Sequence, residues 1–261
     1  MGSLVVRSYD TGAATHVGKV RERNEDSYLV RPEIGLWAVA DGMGGHEAGD
    51  LASRTVVDTL KLIDPQATAA DLLTACENHV ALANQRLKEI GRARGGVTLG
   101  ATLAALLAFE DYYACVWSGD SRVYIVRAGT ILQLSQDHTE VQELVAAGTI
   151  TAEEAQNWPR SNIVTRAIGV LEEPELEVTS GPLLDGDSFV ICSDGLTRHV
   201  ADGEILARVS SGPAQEACDK LLSLALERGG IDNVTVVVMH YWLRPAPSGA
   251  TKPPDLSIER R

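Results

Sequence analysis

A single carboxylate, Asp41, follows an apolar run at residues 36–40 and opens a glycine-rich turn that ends at His46. A buried strand that ends on an acidic residue is costly unless something pairs with the charge. Glycines at positions 42, 44 and 45 remove the Cβ atoms that would hold a carbonyl, an ion or a phosphate at a distance. Taken alone, the turn fits two interpretations equally well: a cation held by carboxylate and carbonyl oxygens, or a strand-turn-helix corner with an aspartate cap.

The same pattern recurs along the chain. Aspartates stand at one end of four apolar runs, and they are Asp41, Asp120, Asp194 and Asp232. The runs cover residues 36–40, 113–117, 188–192 and 234–239. Their length and their β-branched and aromatic residues favour strands over helices. If these strands lie side by side in one core, their ends can converge on one rim, and the sequence predicts a shared acidic site there.

Four converging carboxylates repel one another unless cations neutralise them. Two unit charges about 4 Å apart cost roughly 4 kcal/mol at an effective dielectric of 20. Oxygen-only ligands select hard ions, which favours Mg²⁺ or Mn²⁺ over Zn²⁺ or copper. Two such ions about 3.5 to 4 Å apart can share a carboxylate and a hydroxide, make a nucleophile at neutral pH and clamp a phosphate.

A basic stretch that contains Arg21 and Arg23 precedes a second acidic group, Glu25 and Asp26. These residues could form a surface ion-pair cluster, which contributes little to stability. Alternatively, the acids hold one arginine so that its planar fork can take a phosphate with two hydrogen bonds. On these residues alone the surface interpretation is favoured.

Hydrophobic periodicity supplies the elements that would position these groups. Apolar residues at helical intervals predict amphipathic helices at 46–63, 68–94 and 213–227. Strands are predicted at 4–14, 27–30, 98–109, 112–117, 121–126, 176–180, 187–192 and 234–242. The strands at 112–117 and 121–126 are expected to form a hairpin with Asp120 near its turn. Residues 136–163 are polar with few apolar anchors, which predicts an excursion that covers a site.

Size and charge narrow the class of protein. The chain has 261 residues, 44% of them apolar, and a net charge of −13. That charge argues against a nucleic-acid backbone or an anionic membrane as the main partner, and no run reaches the length of a membrane span. The first residues lack the pattern of a secretory signal. Four scattered cysteines without CxxC or zinc spacing predict reduced thiols in a cytoplasmic protein.

Six short motifs occur in a fixed order. They are Arg21 with Asn24-Glu25-Asp26, the turn 41–46, Ser118 to Arg122, Thr165 to Gly169, Ser193-Asp194-Gly195, and Asp232-Asn233. In this order they resemble the motifs of the metal-dependent PPM (PP2C-type) Ser/Thr protein phosphatases, in their bacterial form. The resemblance covers residues 4–242 and implies an α+β fold, an α-β-β-α sandwich of two mainly antiparallel β-sheets flanked by helices. We therefore expect a phosphatase domain at 1–242 and a Pro-rich flexible tail at 243–261.

The resemblance also implies a set of metal ligands, which is Asp41, Gly42, Asp120, Asp194 and Asp232. Asp41 would bridge two core Mn²⁺ or Mg²⁺ ions and Gly42 would offer its carbonyl. Asp194 and Asp232 would complete the first ion, and Asp120 with Asp194 would bind a third, weaker ion.

Further roles follow from the same resemblance. Glu25 and Asp26 would hold metal-bound waters, Arg21 would bind the substrate phosphate, and residues 138–165 would form the family's flap. The implied reaction is the hydrolysis of phosphoserine and phosphothreonine on proteins by direct attack of metal-bound hydroxide. We expect such a phosphatase to act as a monomer and to oppose a bacterial Ser/Thr kinase.

The general acid is a departure from the animal members of the family, which carry a histidine two residues after the bridging aspartate. Met43 stands there in this chain, as in bacterial members. His46 is the nearest candidate donor, because imidazole titrates near working pH. A histidine in the first turn of a helix is an equally good interpretation of His46, and a water on the third ion could protonate the leaving group instead.

Two other functions compete with this prediction. Residues 192–198 fit C-x-x-G-x-x-R, the anion loop of cysteine-dependent phosphatases, with Cys192 as nucleophile and Arg198 as phosphate ligand. Asp194 places a negative charge inside that loop, which disfavours a thiolate. A non-catalytic metal-binding sensor or pseudophosphatase is the second alternative, and activity or its loss in Asp41→Asn distinguishes it from an enzyme.

Overall fold

The computed structural model describes residues 5–44, 48–155, 158–159 and 163–245. In chain order the strands are β1 Val5–His16, β2 Asp26–Arg31, β3 Leu36–Met43, β4 Gly100–Ala101, β5 Leu103–Phe109, β6 Tyr112–Ser118, β7 Arg122–Arg127, β8 Thr130–Gln133, β9 Glu177–Pro182, β10 Ser188–Cys192 and β11 Val234–Pro245. The helices are α1 Ala48–Leu60, α2 Ala69–Ala93, α3 Glu140–Ala146, α4 Ala152–Ala155, α5 Asp194–Thr197, α6 Asp202–Val209 and α7 Ala214–Glu227.

The strands form two sheets. The first sheet has the order β1-β11-β10-β7-β8, and the second has the order β2-β3-β5-β6-β9, with β4 paired to the end of β3. Every strand pairing in both sheets is antiparallel. This arrangement confirms the predicted sandwich of two antiparallel sheets.

Three apolar layers hold the sandwich together. Between the sheets, Trp37 of the second sheet packs in one cluster with Phe189 and Tyr241 of the first. On the outer face of the second sheet lie α1 and α2, and on the outer face of the first lie α5, α6 and α7. Since the middle of each sheet is buried on both faces, strands such as β5 and β10 are nearly continuous apolar runs. The edge strands β8 and β9 instead alternate in burial.

Helix α2 shows how the sequence specifies the outer layer. The hydroxyl of Thr68 accepts a hydrogen bond from the Asp71 N–H and caps the first turn. Positions spaced by three or four residues then face the sheet, and the buried ones include Leu72, Cys76, Val80, Ala83 and Leu87. Two glycines at positive φ, Gly95 and Gly96, follow the helix.

The structure corrects the predicted hairpin around Asp120. Strand β6 pairs with β5 and β9 in the second sheet, whereas β7 pairs with β10 and β8 in the first. Asp120 therefore lies where the chain crosses between the sheets, not in a hairpin turn. Both strands are apolar on both faces, so their sequence did not show which neighbours they pair with.

Smaller differences concern the bounds of elements. The predicted strand 98–109 is interrupted at Thr102, and β4 and β5 keep one register against β3 on either side of it. Strand β8 and helix α6 were not predicted, and β11 continues three residues beyond the predicted end at 242. Within the described residues, no helix combines the length and the apolar character needed to cross a membrane.

Candidate functional site

The fold brings the four strand-end aspartates together. Asp41 lies in β3 and Asp120 follows β6, both in the second sheet, while Asp194 follows β10 and Asp232 precedes β11 in the first. All four line one pocket of about 470 Å³. Each sheet thus contributes two carboxylates, and the pocket lies at the rim where the two sheets meet.

Other predicted site residues lie in or beside this pocket. Arg21, Glu25 and Gly42 line it. Asp26 is 7% exposed and faces Asp41 across the β2-β3 ladder, so it lies behind the pocket wall. His46 lies outside the described residues, and its role as general acid stays a prediction.

The carboxylates raise one another's pKa. Burial raises the pKa of Asp41 well above its usual range, and the charges of Asp26, Asp194, Asp120 and Asp232 raise it further. Burial also raises the pKa of Asp26 and Asp120, and in both cases the charge of Asp194 adds to the effect. A cluster that resists ionisation in this way is suited to bound cations, which make the charged form favourable.

Two arginines supply positive charge in the described pocket. Arg21 Nη2 lies 2.9 Å from Asp232 Oδ2. Arg198 pairs with Asp194 through Nη2, and its Nη1 lies 3.4 Å from Asp232 Oδ2. Both guanidinium groups therefore approach Asp232, and the predicted surface cluster around Arg21 is instead part of the pocket.

Gly42 is held where a side chain would not fit. A Cβ on Gly42 would lie 1.9 Å from the carbonyl oxygen of Gly49 and 2.8 Å from that of Glu25. The Gly42 N–H donates a hydrogen bond to the Glu25 carbonyl at 3.0 Å. A Cβ on Gly49 would in turn lie 2.4 Å from Glu25 Oε1 and 2.7 Å from the Gly42 carbonyl oxygen. The close approach of these backbones requires glycine at both positions.

The donor set fits hard divalent ions. The described pocket offers carboxylate and carbonyl oxygens, the ligands that Mg²⁺ and Mn²⁺ prefer. In the described part of the chain, Asp26 Oδ1 and Asp194 Oδ1 are buried without a hydrogen-bond partner, as expected of oxygens that bind an ion or an ion-bound water. No three His, Cys, Asp or Glu side chains within that part are yet placed to hold an ion. Binding would therefore require the carboxylates and their arginine partners to adjust.

Several residues that the sequence prediction did not assign support the site. The Thr102 hydroxyl accepts the Asp41 N–H at 3.0 Å, and the Thr102 N–H donates to the Asp41 carbonyl at 2.8 Å. Asn233 Oδ1 accepts the Glu25 N–H at 2.8 Å, and Asn233 Nδ2 donates to the carbonyls of Val17 and Arg23. The sequence did contain a signal for Thr102, because it is a polar residue within the apolar run at 99–109.

Ser193 connects the two sheets behind the pocket. Its hydroxyl donates to Asp26 Oδ2 at 2.8 Å and accepts the Thr235 N–H at 3.0 Å. Asp26 belongs to the second sheet, whereas Thr235 lies in β11 of the first and Ser193 directly follows β10 of the same sheet. The bond therefore fixes the orientation of a carboxylate that faces Asp41.

The two described ends of the segment 138–165 lie next to each other. The Thr165 N–H donates to the His138 carbonyl at 2.9 Å, and an isolated antiparallel bridge joins Thr139 to Val164. Val164 lines the pocket. The ring of His138 stacks on Trp117, and its Nδ1 accepts the Gly119 N–H at 3.1 Å. His138 thereby ties the base of this excursion to the residue that precedes Asp120.

The cysteine chemistry is excluded by the position of Cys192. This residue lies within β10 at 0% exposure, and burial raises the pKa of its thiol to about 12. A thiol that neither ionises near neutral pH nor reaches the surface is not a nucleophile for a phosphoprotein. Arg198, the proposed partner in that loop, pairs with Asp194 instead.

Sequence comparison identifies the relatives of the chain. The family described as Protein phosphatase 2C matches residues 15–227. Serine/threonine protein phosphatase PstP of Mycobacterium tuberculosis is 39% identical over 222 residues, which are 85% of this chain and 43% of PstP, so the chain spans less than half of that relative. Protein phosphatase PhpP of Streptococcus pneumoniae is 33% identical over 232 residues, which cover 86% of this chain and 94% of PhpP.

Solved structures agree with the sequence relatives. PppA, described as a key regulatory component of T6SS in Pseudomonas aeruginosa, superposes with a TM-score of 0.84 at 40% identity, covering 90% of this chain and 98% of PppA. The catalytic domain of PstP, solved in complex with two manganese ions, gives a TM-score of 0.82 at 36% identity, covering 91% of this chain and 100% of that domain. The chain therefore belongs to the protein phosphatase 2C family, the metal-dependent Ser/Thr protein phosphatases, in its bacterial form.

Proposed function

We propose that this chain hydrolyses phosphoserine and phosphothreonine on proteins at the pocket that Asp41, Asp120, Asp194 and Asp232 line. The observation that carries the proposal is the convergence of four carboxylates from two sheets beside an arginine, Arg21. Of the relatives named above, PstP is a Ser/Thr protein phosphatase and PhpP is a protein phosphatase, and the catalytic domain of PstP was solved with two manganese ions. A non-catalytic metal-binding module would not need an arginine that can bind phosphate beside these four carboxylates.

Each pocket residue has a role in this proposal. Asp41, whose pKa the charges of the other carboxylates raise, would hold two Mn²⁺ or Mg²⁺ ions in this proposal, with the Gly42 carbonyl as a further ligand. Asp194 and Asp232 would be further ligands of the first ion, and Asp120 with Asp194 would hold a third, weaker one. When bound, the ions supply an attacking hydroxide at neutral pH and neutralise charge on the phosphate.

Residues around the ions orient the reactants. Glu25 and Asp26 would each hold an ion-bound water. The backbone contact of Glu25 with Gly42 and the pairing of Asp26 opposite Asp41 support these roles. Arg21 is half exposed at the pocket edge, where its planar guanidinium can bind two oxygens of a substrate phosphate. His46 is proposed as the donor of a proton to the leaving alkoxide, with a water on the third ion as the alternative.

The physiological setting is proposed from weaker support. Phosphoproteins made by a cognate Ser/Thr kinase are the proposed substrates, and we propose that the chain acts as a monomer. Its four cysteines are free and buried, which supports a reducing compartment such as the cytoplasm.

Phosphate release from a phosphothreonine peptide tests the proposal. We expect turnover in Mn²⁺, its loss in excess EDTA, and its recovery when Mn²⁺ is restored. Asp41→Asn should abolish turnover, while Arg21→Ala should mainly raise KM because it removes a ligand of the phosphate. Activity that persists in EDTA contradicts the metal-dependent chemistry, and a wild-type KM in Arg21→Ala removes that residue from phosphate binding.

A further inference from the structure

Arg198 forms ion pairs with Asp194 and Asp232, two carboxylates that the proposed function assigns to a metal ion. Its guanidinium pairs with Asp194 through Nη2 and approaches Asp232 Oδ2 to 3.4 Å through Nη1. The side chains of Asp194 and Asp232 are each 14% exposed, and that of Arg198 is 27% exposed. A guanidinium spanning two shielded carboxylates does what a cation would do there: it offsets their mutual repulsion.

The local fold keeps Arg198 next to these acids. Asp194 begins the short helix α5, and Arg198 follows it by one turn, with its N–H donating to the Asp194 carbonyl at 2.9 Å. Because residues four apart lie on one helix face, the backbone itself delivers the guanidinium to Asp194. The Arg198 side chain has several rotatable bonds, so its head can leave the carboxylates without any movement of the backbone.

We infer that Arg198 is a tethered counter-cation that competes with divalent ions for Asp194 and Asp232, and so weakens the affinity of the pocket for metal. The inference rests on the proposed function, because it takes these two carboxylates as metal ligands. In the metal-free protein the guanidinium stabilises the acidic pocket. An ion that binds both carboxylates must first displace it, and the lost ion pairs reduce the net affinity.

Removing Arg198 should therefore strengthen metal binding. Hydrogen bonds to charged groups contribute enough that losing such a competitor should lower the Mn²⁺ dissociation constant by about tenfold, which corresponds to about 1.4 kcal/mol. A residue that merely holds the pocket in shape has the opposite effect, since its loss weakens binding. The direction of the change thus separates competition from a structural role.

The experiment is a calorimetric titration of the metal-free chain with Mn²⁺, comparing wild type, Arg198→Gln and Arg7→Gln. Arg7 pairs with Asp111 at 2.8 Å at the end of the sandwich opposite the pocket, so its replacement removes the same charge without touching the site. We expect about tenfold tighter binding in Arg198→Gln and an unchanged constant in Arg7→Gln. Thermal unfolding gives a second readout: Arg198→Gln should lower Tm in EDTA but not in saturating Mn²⁺.

Other outcomes overturn the inference. Equal or weaker Mn²⁺ binding in Arg198→Gln than in Arg7→Gln shows that Arg198 does not compete, and an equal fall in Tm with and without Mn²⁺ assigns it a structural role. If Arg198→Gln does not fold without metal, Arg198→Lys tests the inference instead. A single ammonium spans two carboxylates poorly, so Arg198→Lys should bind Mn²⁺ about threefold more tightly than the wild type. A wild-type chain that binds no Mn²⁺ refutes the proposed function instead, so the two failures are distinguishable.

Discussion

Replacing Ser193 with alanine removes a hydroxyl that joins the two sheets behind the pocket. Asp26 Oδ2 loses a donor at 2.8 Å and the Thr235 N–H loses an acceptor at 3.0 Å. A hydrogen bond to a charged group contributes about 1.5 to 3 kcal/mol, and a buried unsatisfied N–H costs about 1 kcal/mol or more. We therefore expect Ser193→Ala to destabilise the chain by about 3 kcal/mol, which lowers Tm by about 6 to 12 °C for a domain of this size.

A second buried serine provides the matched control. Ser118 is 0% exposed, and among the described residues its Oγ has no hydrogen-bond partner. Ser118→Ala should therefore not destabilise the chain, because it removes no hydrogen bond and relieves the cost of a buried hydroxyl without a partner. Urea denaturation in EDTA measures both variants. Equal free energies of unfolding for the two variants would refute the assignment of an inter-sheet role to the Ser193 hydroxyl.

Three further predictions concern the pocket and its surroundings. Gly42→Ala places a Cβ 1.9 Å from the Gly49 carbonyl oxygen, so we expect Mn²⁺ binding to be lost and stability to fall by at least about 2 kcal/mol. Gly203→Ala is the control: a Cβ there meets no atom of the described residues within 4 Å, so it should not destabilise the chain. His138→Leu should lower kcat and Tm more than His138→Asn, because only asparagine can still accept the Gly119 N–H, and equal losses argue against that bond. Burial raises the pKa of Asp26 and Asp120 to about 7, whereas unfolding returns both to about 4. Between these values the native state holds more protons than the unfolded state, so stability in EDTA should fall as the pH rises from about 4 to 7. Chemical denaturation at several pH values should show this fall, and a smaller one in saturating Mn²⁺.

The acidic pocket could be predicted because its signals are local. Each of the four aspartates lies within three residues of one end of an apolar run, and the strands of one core can end near one another at a rim. Gly42 carried a second local signal, since a glycine beside a buried carboxylate indicates a close approach of backbones. The structure shows that approach to the Gly49 carbonyl oxygen.

What the sequence did not show depends on pairing between distant segments. Strands β6 and β7 are separated by three residues yet belong to different sheets, and runs buried on both faces carry no pattern that assigns a partner. From the sequence, Arg198 was considered only as the phosphate ligand of a cysteine-dependent phosphatase loop. An arginine four residues after an aspartate is a common ion pair on a helix and does not by itself indicate a site. Its approach to Asp232 arises only when β11 lies beside β10.

The pairing of β1 with β11 has a consequence for synthesis on the ribosome. All residues of β1, from Val5 to His16, pair with β11, which begins at Val234. Translation of the intervening stretch of about 220 residues takes about 10 to 45 s at about 5 to 20 residues per second. During that time the nascent chain carries an unpaired first strand and lacks Asp232, so the complete first sheet and the pocket can form only after β11 has left the exit tunnel. A nascent chain halted before that point should be unable to remove phosphate from any protein.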